Sequence, residues 1–71
     1  VIGLTYGTFD HLHEGHINIF RRAKEICDYL YVGVSTDRFN EYKGKNADQG
    51  FMERANAVLA NEYVDEVFPE Y

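Results

Sequence analysis

Gly7-Thr8-Phe9-Asp10-His11-Leu12-His13-Glu14-Gly15-His16 is the stretch on which the reading of this chain turns. Before it, residues 1–6 (Val-Ile-Gly-Leu-Thr-Tyr) are mostly apolar and partly β-branched, which predicts a buried strand. After it, residues 16–27 alternate at helical period. Ile19, Phe20, Ala23, Ile26 and Cys27 fall on one face, and Arg21, Arg22, Lys24 and Glu25 on the other, with Asp28 ending the helix. The decapeptide therefore joins the carboxyl end of a strand to the amino end of a helix. Gly7 lets the chain turn sharply and Gly15 permits close approach of a phosphate. The helix start supplies free backbone N–H groups and the positive end of a dipole.

Working outward, residues 29–35 form a second, nearly continuous apolar run, as expected of a strand covered on both faces. Residues 36–42 suit a helical turn, and residues 43–49 are a polar loop containing Gly44. A second helix is predicted over 51–62, with Met52, Ala55, Val58 and Leu59 inward and Asp48 as its N-cap. Residues 64–68 make a third strand, stopped by Pro69. This order predicts an α/β fold, a Rossmann-like parallel sheet with flanking helices and right-handed crossovers. Residues 1–71 form one part-domain, a single three-stranded wing. Ligands of such sheets sit at the carboxyl ends of the strands, where strand order reverses. With one wing, strand one is an open apolar edge, so further chain or a partner is expected to cover it. The first residue, Val1, is not Met and reads as a trimmed start.

With 71 residues, 7 Lys+Arg and 12 Asp+Glu, the chain carries a net charge of −5, which argues against nucleic acid as a partner. No apolar run approaches the ~20 residues of a membrane span, and no signal peptide is visible. Cys27 is the one cysteine, which suits a reducing cytoplasm, and it reads as a core residue. Tyr29, Tyr31 and Tyr63 read as strand packing.

His13 and His16 lie three residues apart at a helix start, so both rings share one side, separated by about 4.5 Å along the axis. Two donors at that spacing reach different oxygens of a phosphate chain, and a neighbouring phosphate favours the charged imidazole. A rival arrangement is a zinc site at His11, His13 and His16, which no cysteine accompanies. Lys43 and Lys45 flank Gly44 in the loop at the ligand end of the sheet, where both ammonium groups can meet one anion. Arg54 stands one turn inside the second helix, opposite its apolar face, with a guanidinium suited to a phosphate. Asp37 either touches an acceptor substrate or forms a turn after the second strand.

Gly7-Thr8-Phe9-Asp10 with His13-Glu14-Gly15-His16 resembles the signature of the H-x-G-H nucleotidyltransferases, in particular their cytidylyltransferase branch. Ser35-Thr36-Asp37-Arg38-Phe39-Asn40, Lys43-Gly44-Lys45, Arg54 and Tyr63-Val64-Asp65-Glu66-Val67 extend the likeness over nearly the whole chain. The resemblance implies transfer of CMP from CTP to a phosphate monoester such as glycerol 3-phosphate, with release of pyrophosphate. His13, His16, Lys43 and Lys45 would then be catalytic. Gly7, Thr8, Phe9, Asp10, His13, Gly15 and His16 would bind nucleotide, and Asp37, Lys43, Lys45 and Arg54 the acceptor. Mg2+ would accompany the triphosphate without an all-protein metal site, Asp10 would place that ion or bond the nucleotide, and the protein would pair as a homodimer. An adenylyltransferase using ATP with a flavin or sugar phosphate is the alternative, as is a non-catalytic nucleotide-binding fragment. The family's second half, with its Arg-Thr-x-Gly-Ile-Ser-type motif, has no counterpart in these residues. His11 stands where the family usually has an apolar residue, and Glu14, between the histidines, is expected to point outward.

Overall fold

Leu30, Val32 and Val34 alternate along the central strand and are fully buried. A side chain every second residue on one face is the signature of a sheet covered on that side. In the computed structural model, which describes residues 1–44 and 47–71, the elements are β1 (Ile2–Gly7), α1 (Glu14–Glu25), β2 (Tyr29–Ser35), α2 (Asp37–Tyr42), α3 (Phe51–Leu59) and β3 (Glu66–Glu70). The strands are parallel in the order β1-β2-β3. Phe20 of α1 and Val58 of α3 join Leu30, Val32, Val34, Phe9 and Val64 in one core, so both crossover helices lie on the same face. That is the outcome of two same-handed crossovers stepping in one direction.

Among the described residues no helix covers the opposite face. Register places Ile2 beside Tyr29, Leu4 beside Tyr31 and Tyr6 beside Gly33. Ile2 and Leu4 are more than half exposed, at 68% and 56%. Tyr6 meets Phe68 of β3 edge to face at 5.8 Å. The expectation that the first strand is buried and the second covered on both faces is corrected: each is covered on one face only. The open β1 edge is as anticipated.

Element boundaries shift for local reasons. Helix α1 starts two residues early because His13 itself caps it, and it ends at Glu25. Ile26 and Ile19 are exposed, whereas Cys27, beyond the helix, packs against the core. Helix α3 is capped at Gly50 rather than Asp48. The backbone N–H of Phe51 at its start donates instead to Asp37 Oδ2 at 3.3 Å. Its inward residues are Arg54 and Val58, while Met52 and Leu59 are exposed. Pro69 does not stop β3 but lies within it, which an edge strand tolerates. Asp65, just before β3, accepts from Lys24 and from the Leu30 amide. These bonds hold its carboxyl below its ordinary value, the Lys24 contact contributing most.

Candidate active site

The turn after β1 is built by two residues with left-handed backbone, Phe9 (φ 54°) and His11 (φ 49°). Non-glycine residues seldom adopt that region, so the surroundings must hold it. Phe9 is buried and packs on Phe20 at 5.2 Å and edge-on to His16 at 5.5 Å. A side chain at Gly7 would meet that ring at 2.9 Å. The sharp turn assigned to Gly7 thus belongs to Phe9 and His11, and Gly7 leaves room for the ring.

Asp10 accepts the backbone N–H groups of Asp48 at 2.9 Å and Gln49 at 3.0 Å. The two amides, Asp48 first, hold its carboxyl below the usual aspartate value. The His11 amide donates to Gln49 Oε1 at 2.9 Å. Thr8 donates its hydroxyl to Asn40 Oδ1 at 3.1 Å, and its carbonyl accepts from Arg54. Asn40 is buried, and its Nδ2 is the buried side-chain polar atom left without a partner among the described residues. Gly7, Thr8, Phe9 and Asp10 thus bond and pack as the frame of the turn.

The histidines form the outer part, His13 exposed and His16 half-buried. His13 Nδ1 accepts the Gly15 amide at 3.0 Å, and His16 Nδ1 accepts the His13 amide at 3.2 Å, a reciprocal cap. The rings stack at 4.0 Å between centroids. An imidazole nitrogen that accepts an N–H carries no proton, so each neutral ring holds its hydrogen on Nε2. Burial first, and the His13 charge second, lower the His16 pKa from its ordinary 6.5. In the protein alone His16 is thus biased toward the neutral ring, opposite to the charged form expected from a phosphate neighbour. A side chain at Gly15 would strike His13 Cε1 at 2.8 Å, so Gly15 makes room for the His13 ring. His11 turns elsewhere, to Asp48. The proposed trio of His11, His13 and His16 does not converge among the described residues.

The other cations separate. Lys43 donates to Ser35 Oγ at 3.1 Å and lies 4.5 Å over the Phe39 ring, at the carboxyl end of β2. Ser35 Oγ in turn donates to Glu70 Oε1 at 3.0 Å. Lys45 lies outside the described residues. Arg54 is fully buried, not on the outer side of its helix. Its fork donates to the carbonyls of Gln49 (3.0 Å), Thr8 (2.9 Å) and Ser35 (2.6 Å) and to Asp37 Oδ1 (2.8 Å). Arg54 foremost, with the Phe51 amide, lowers the Asp37 pKa. Sequence reasoning missed Asn40, Ser35 and Gln49. They bond across the ends of separate elements; Ser35 and Asn40 bound the segment after the second strand that carries the family likeness, and Gln49 carried no cue.

A parallel α/β sheet whose first strand runs through a tied turn into a histidine-capped helix belongs to the Rossmann-like class. The chain is a member of the cytidylyltransferase-like family, which it matches over residues 4–71. It is 51% identical over 67 residues, 94% of its length and 52% of the relative's, to a glycerol-3-phosphate cytidylyltransferase of Bacillus subtilis. An FAD synthase of Thermococcus sibiricus is 43% identical over 65 residues, 90% of this chain and 44% of that protein. A lipopolysaccharide core biosynthesis protein from Thermoplasma volcanium superposes with a TM-score of 0.94 at 27% identity, over 100% of this chain and 58% of that one. The chain spans about half the length of the curated relatives it matches first. Among the described residues no helix is long and apolar enough to cross a membrane.

Proposed function

We propose that this chain carries the triphosphate grip of a nucleotidyltransferase that moves CMP from CTP to a phosphate monoester such as glycerol 3-phosphate. An oxygen of the acceptor phosphate attacks the α-phosphorus in line. The α–β phosphoanhydride bond breaks, and pyrophosphate leaves with the electron pair. No protein nucleophile takes part, so catalysis is positioning and charge stabilisation. The observation that carries this reading is the histidine pair: both Nδ1 atoms are occupied by backbone N–H groups, leaving Nε2–H of His13 and His16 as donors at a helix mouth. Phe9 and Gly15 act as positioning residues for the two rings.

Lys43 is at the same end of the sheet and serves as a second source of positive charge, with Lys45 assigned the same role from the sequence. Ser35 and Phe39 hold Lys43 until an anion competes for it. Arg54 and Asp37 act on the reaction through the turn, since both are bonded to the protein frame. Mg2+ neutralises the triphosphate. When bound, it would be held by phosphate oxygens and water rather than by an all-protein cage. Pairing as a homodimer in the cytoplasm belongs to the same reading, supported by family likeness, the open β1 edge and the free thiol of Cys27.

CTP is favoured by the cytidylyltransferase relatives, and ATP is the second reading because a relative of similar coverage is named an FAD synthase. The test is pyrophosphate release by the complete gene product with CTP or ATP and a panel of phosphate monoesters. CTP with a small polyol phosphate is expected to turn over. His16→Ala is expected to lower the rate by about 10²–10³, the usual cost of one such donor. Unchanged turnover or nucleotide affinity in His16→Ala overturns the reading.

A further inference from the structure

His11 and Asp48 belong to segments far apart in sequence, yet His11 Nε2 lies 3.1 Å from Asp48 Oδ2. Asp10 stands beside them. One nitrogen or oxygen from each of Asp10, His11 and Asp48 falls within 4.8 Å of the other two. From these positions we infer a site for a divalent transition-metal ion, of the Zn2+ type, that bridges the turn after β1 to the segment preceding α3. The inference is independent of nucleotidyl transfer, and the site is distinct from the stacked pair of His13 and His16.

Four observations converge on it. First, the spacing fits. Metal–ligand bonds of about 2.0–2.2 Å in a tetrahedron put neighbouring ligand atoms roughly 3.3–3.5 Å apart. The imidazole and the Asp48 carboxylate are already close to that separation. Second, the charge is unbalanced. Two carboxylates meet one imidazole, and Arg54, the other cation acting on Asp10, is already bonded to Asp37 and three carbonyls, so a dication compensates what the imidazole does not. Third, Asp10 is oriented from behind. The Asp48 and Gln49 amides each take one lone pair of its oxygens, and ligating carboxylates are ordinarily held by such outer bonds. Fourth, His11 and Asp48 are exposed, so an ion enters without opening the core, and water or an anion completes its shell. One imidazole nitrogen with two carboxylates is a borderline donor set. It selects Zn2+, Co2+ or Mn2+ over Mg2+, which favours oxygen donors in a strict octahedron and gives up water reluctantly.

The test is calorimetric titration of the protein with Zn2+ alone, without nucleotide, alongside Co2+ titration followed by its visible absorption. One equivalent is expected to bind and to remain bound in excess Mg2+. Asp10→Asn risks the turn itself, so two other variants carry the test. In His11→Asn the new residue tolerates left-handed backbone, and Asp48→Asn keeps the shape of the side chain. Each is expected to weaken binding by more than the roughly 10–100-fold that loss of an outer-shell partner alone costs, with an unchanged circular dichroism spectrum. His13→Ala and His16→Ala are expected to bind the metal as the parent does. Absence of saturable Zn2+ binding, parent-like affinity in both asparagine variants, displacement by Mg2+, or loss of binding on removal of His13 or His16 each overturns the assignment.

Discussion

The mouth of α1 and the root of α3 both present cations that the sequence marks for phosphate, and the structure treats them in opposite ways. At the α1 mouth, backbone amides occupy the inner nitrogens of His13 and His16 and leave the outer ones as donors. At the α3 root, three carbonyls and Asp37 engage the Arg54 guanidinium, and no part of it reaches solvent. The difference teaches that a positive side chain is available to a ligand according to which of its donors the protein has already taken. Arg54 holds the turn after β1, the end of β2 and the segment before α3 together, so the outer pair rests on the buried one.

This contrast breaks most readily at Arg54. Arg54→Met leaves three carbonyls of the frame without their donor and is expected to destabilise the fold by about 3–5 kcal/mol, the range for removing one member of a buried charged network. Urea unfolding midpoints measure it, and a loss below about 1 kcal/mol would make Arg54 a surface cation after all. Gly15→Ala tests the other region. Alanine suits a helix better than glycine by up to about 1 kcal/mol, and losing the His13 cap costs about as much, so stability should change little. The new methyl group displaces the His13 ring, so affinity for CTP should fall about tenfold, the equivalent of one charged hydrogen bond. Fluorescence titration with CTP checks this, and parent-like affinity would separate His13 from the triphosphate. Thr36→Ala removes the cap that accepts the Phe39 amide at the start of α2 and should cost about 1 kcal/mol in the same urea experiment.

Smallest are the effects of pH, and they divide by region. His16 has a lowered pKa in the fold, so the unfolded chain binds its proton more readily. The corresponding stability is complete above the ordinary value of 6.5 and is lost as pH falls through the lower folded value. Asp37 and Asp65 are also lowered, from 3.8. Their contribution is complete above that value and disappears only as pH falls further. Thermal unfolding followed from pH 8 to pH 3 should therefore lose stability in two stages, the upper one absent in His16→Ala.

The strand-turn-helix order and the parallel sheet were legible because apolar runs and the helical period record them directly. The histidine pair was legible for the same reason, since a spacing of three on a helix start leaves few orientations. Arg54 was not, because a charged residue is discounted as an inward position even when it stands four residues from a core valine, Val58. The sheet face that no described helix covers was also hidden. Ile2, Leu4 and Tyr6 read as buried by composition, and only topology reveals that both crossover helices sit on the other side. The ties among Asp10, His11, Asp48 and Gln49 join residues almost forty positions apart, which no local pattern encodes.

The account depends most on where the two imidazole protons are, and nitrogen-15 NMR of the histidine rings at neutral pH observes them directly. His16 is expected as a neutral ring, and in His13 and His16 alike Nδ1 is expected to accept the backbone N–H and Nε2 to carry the proton, with those two Nε2 nitrogens alone among the ring nitrogens of the pair shifting when CTP is added. Protonation on Nδ1, or Nε2 resonances that ignore the nucleotide, would contradict it.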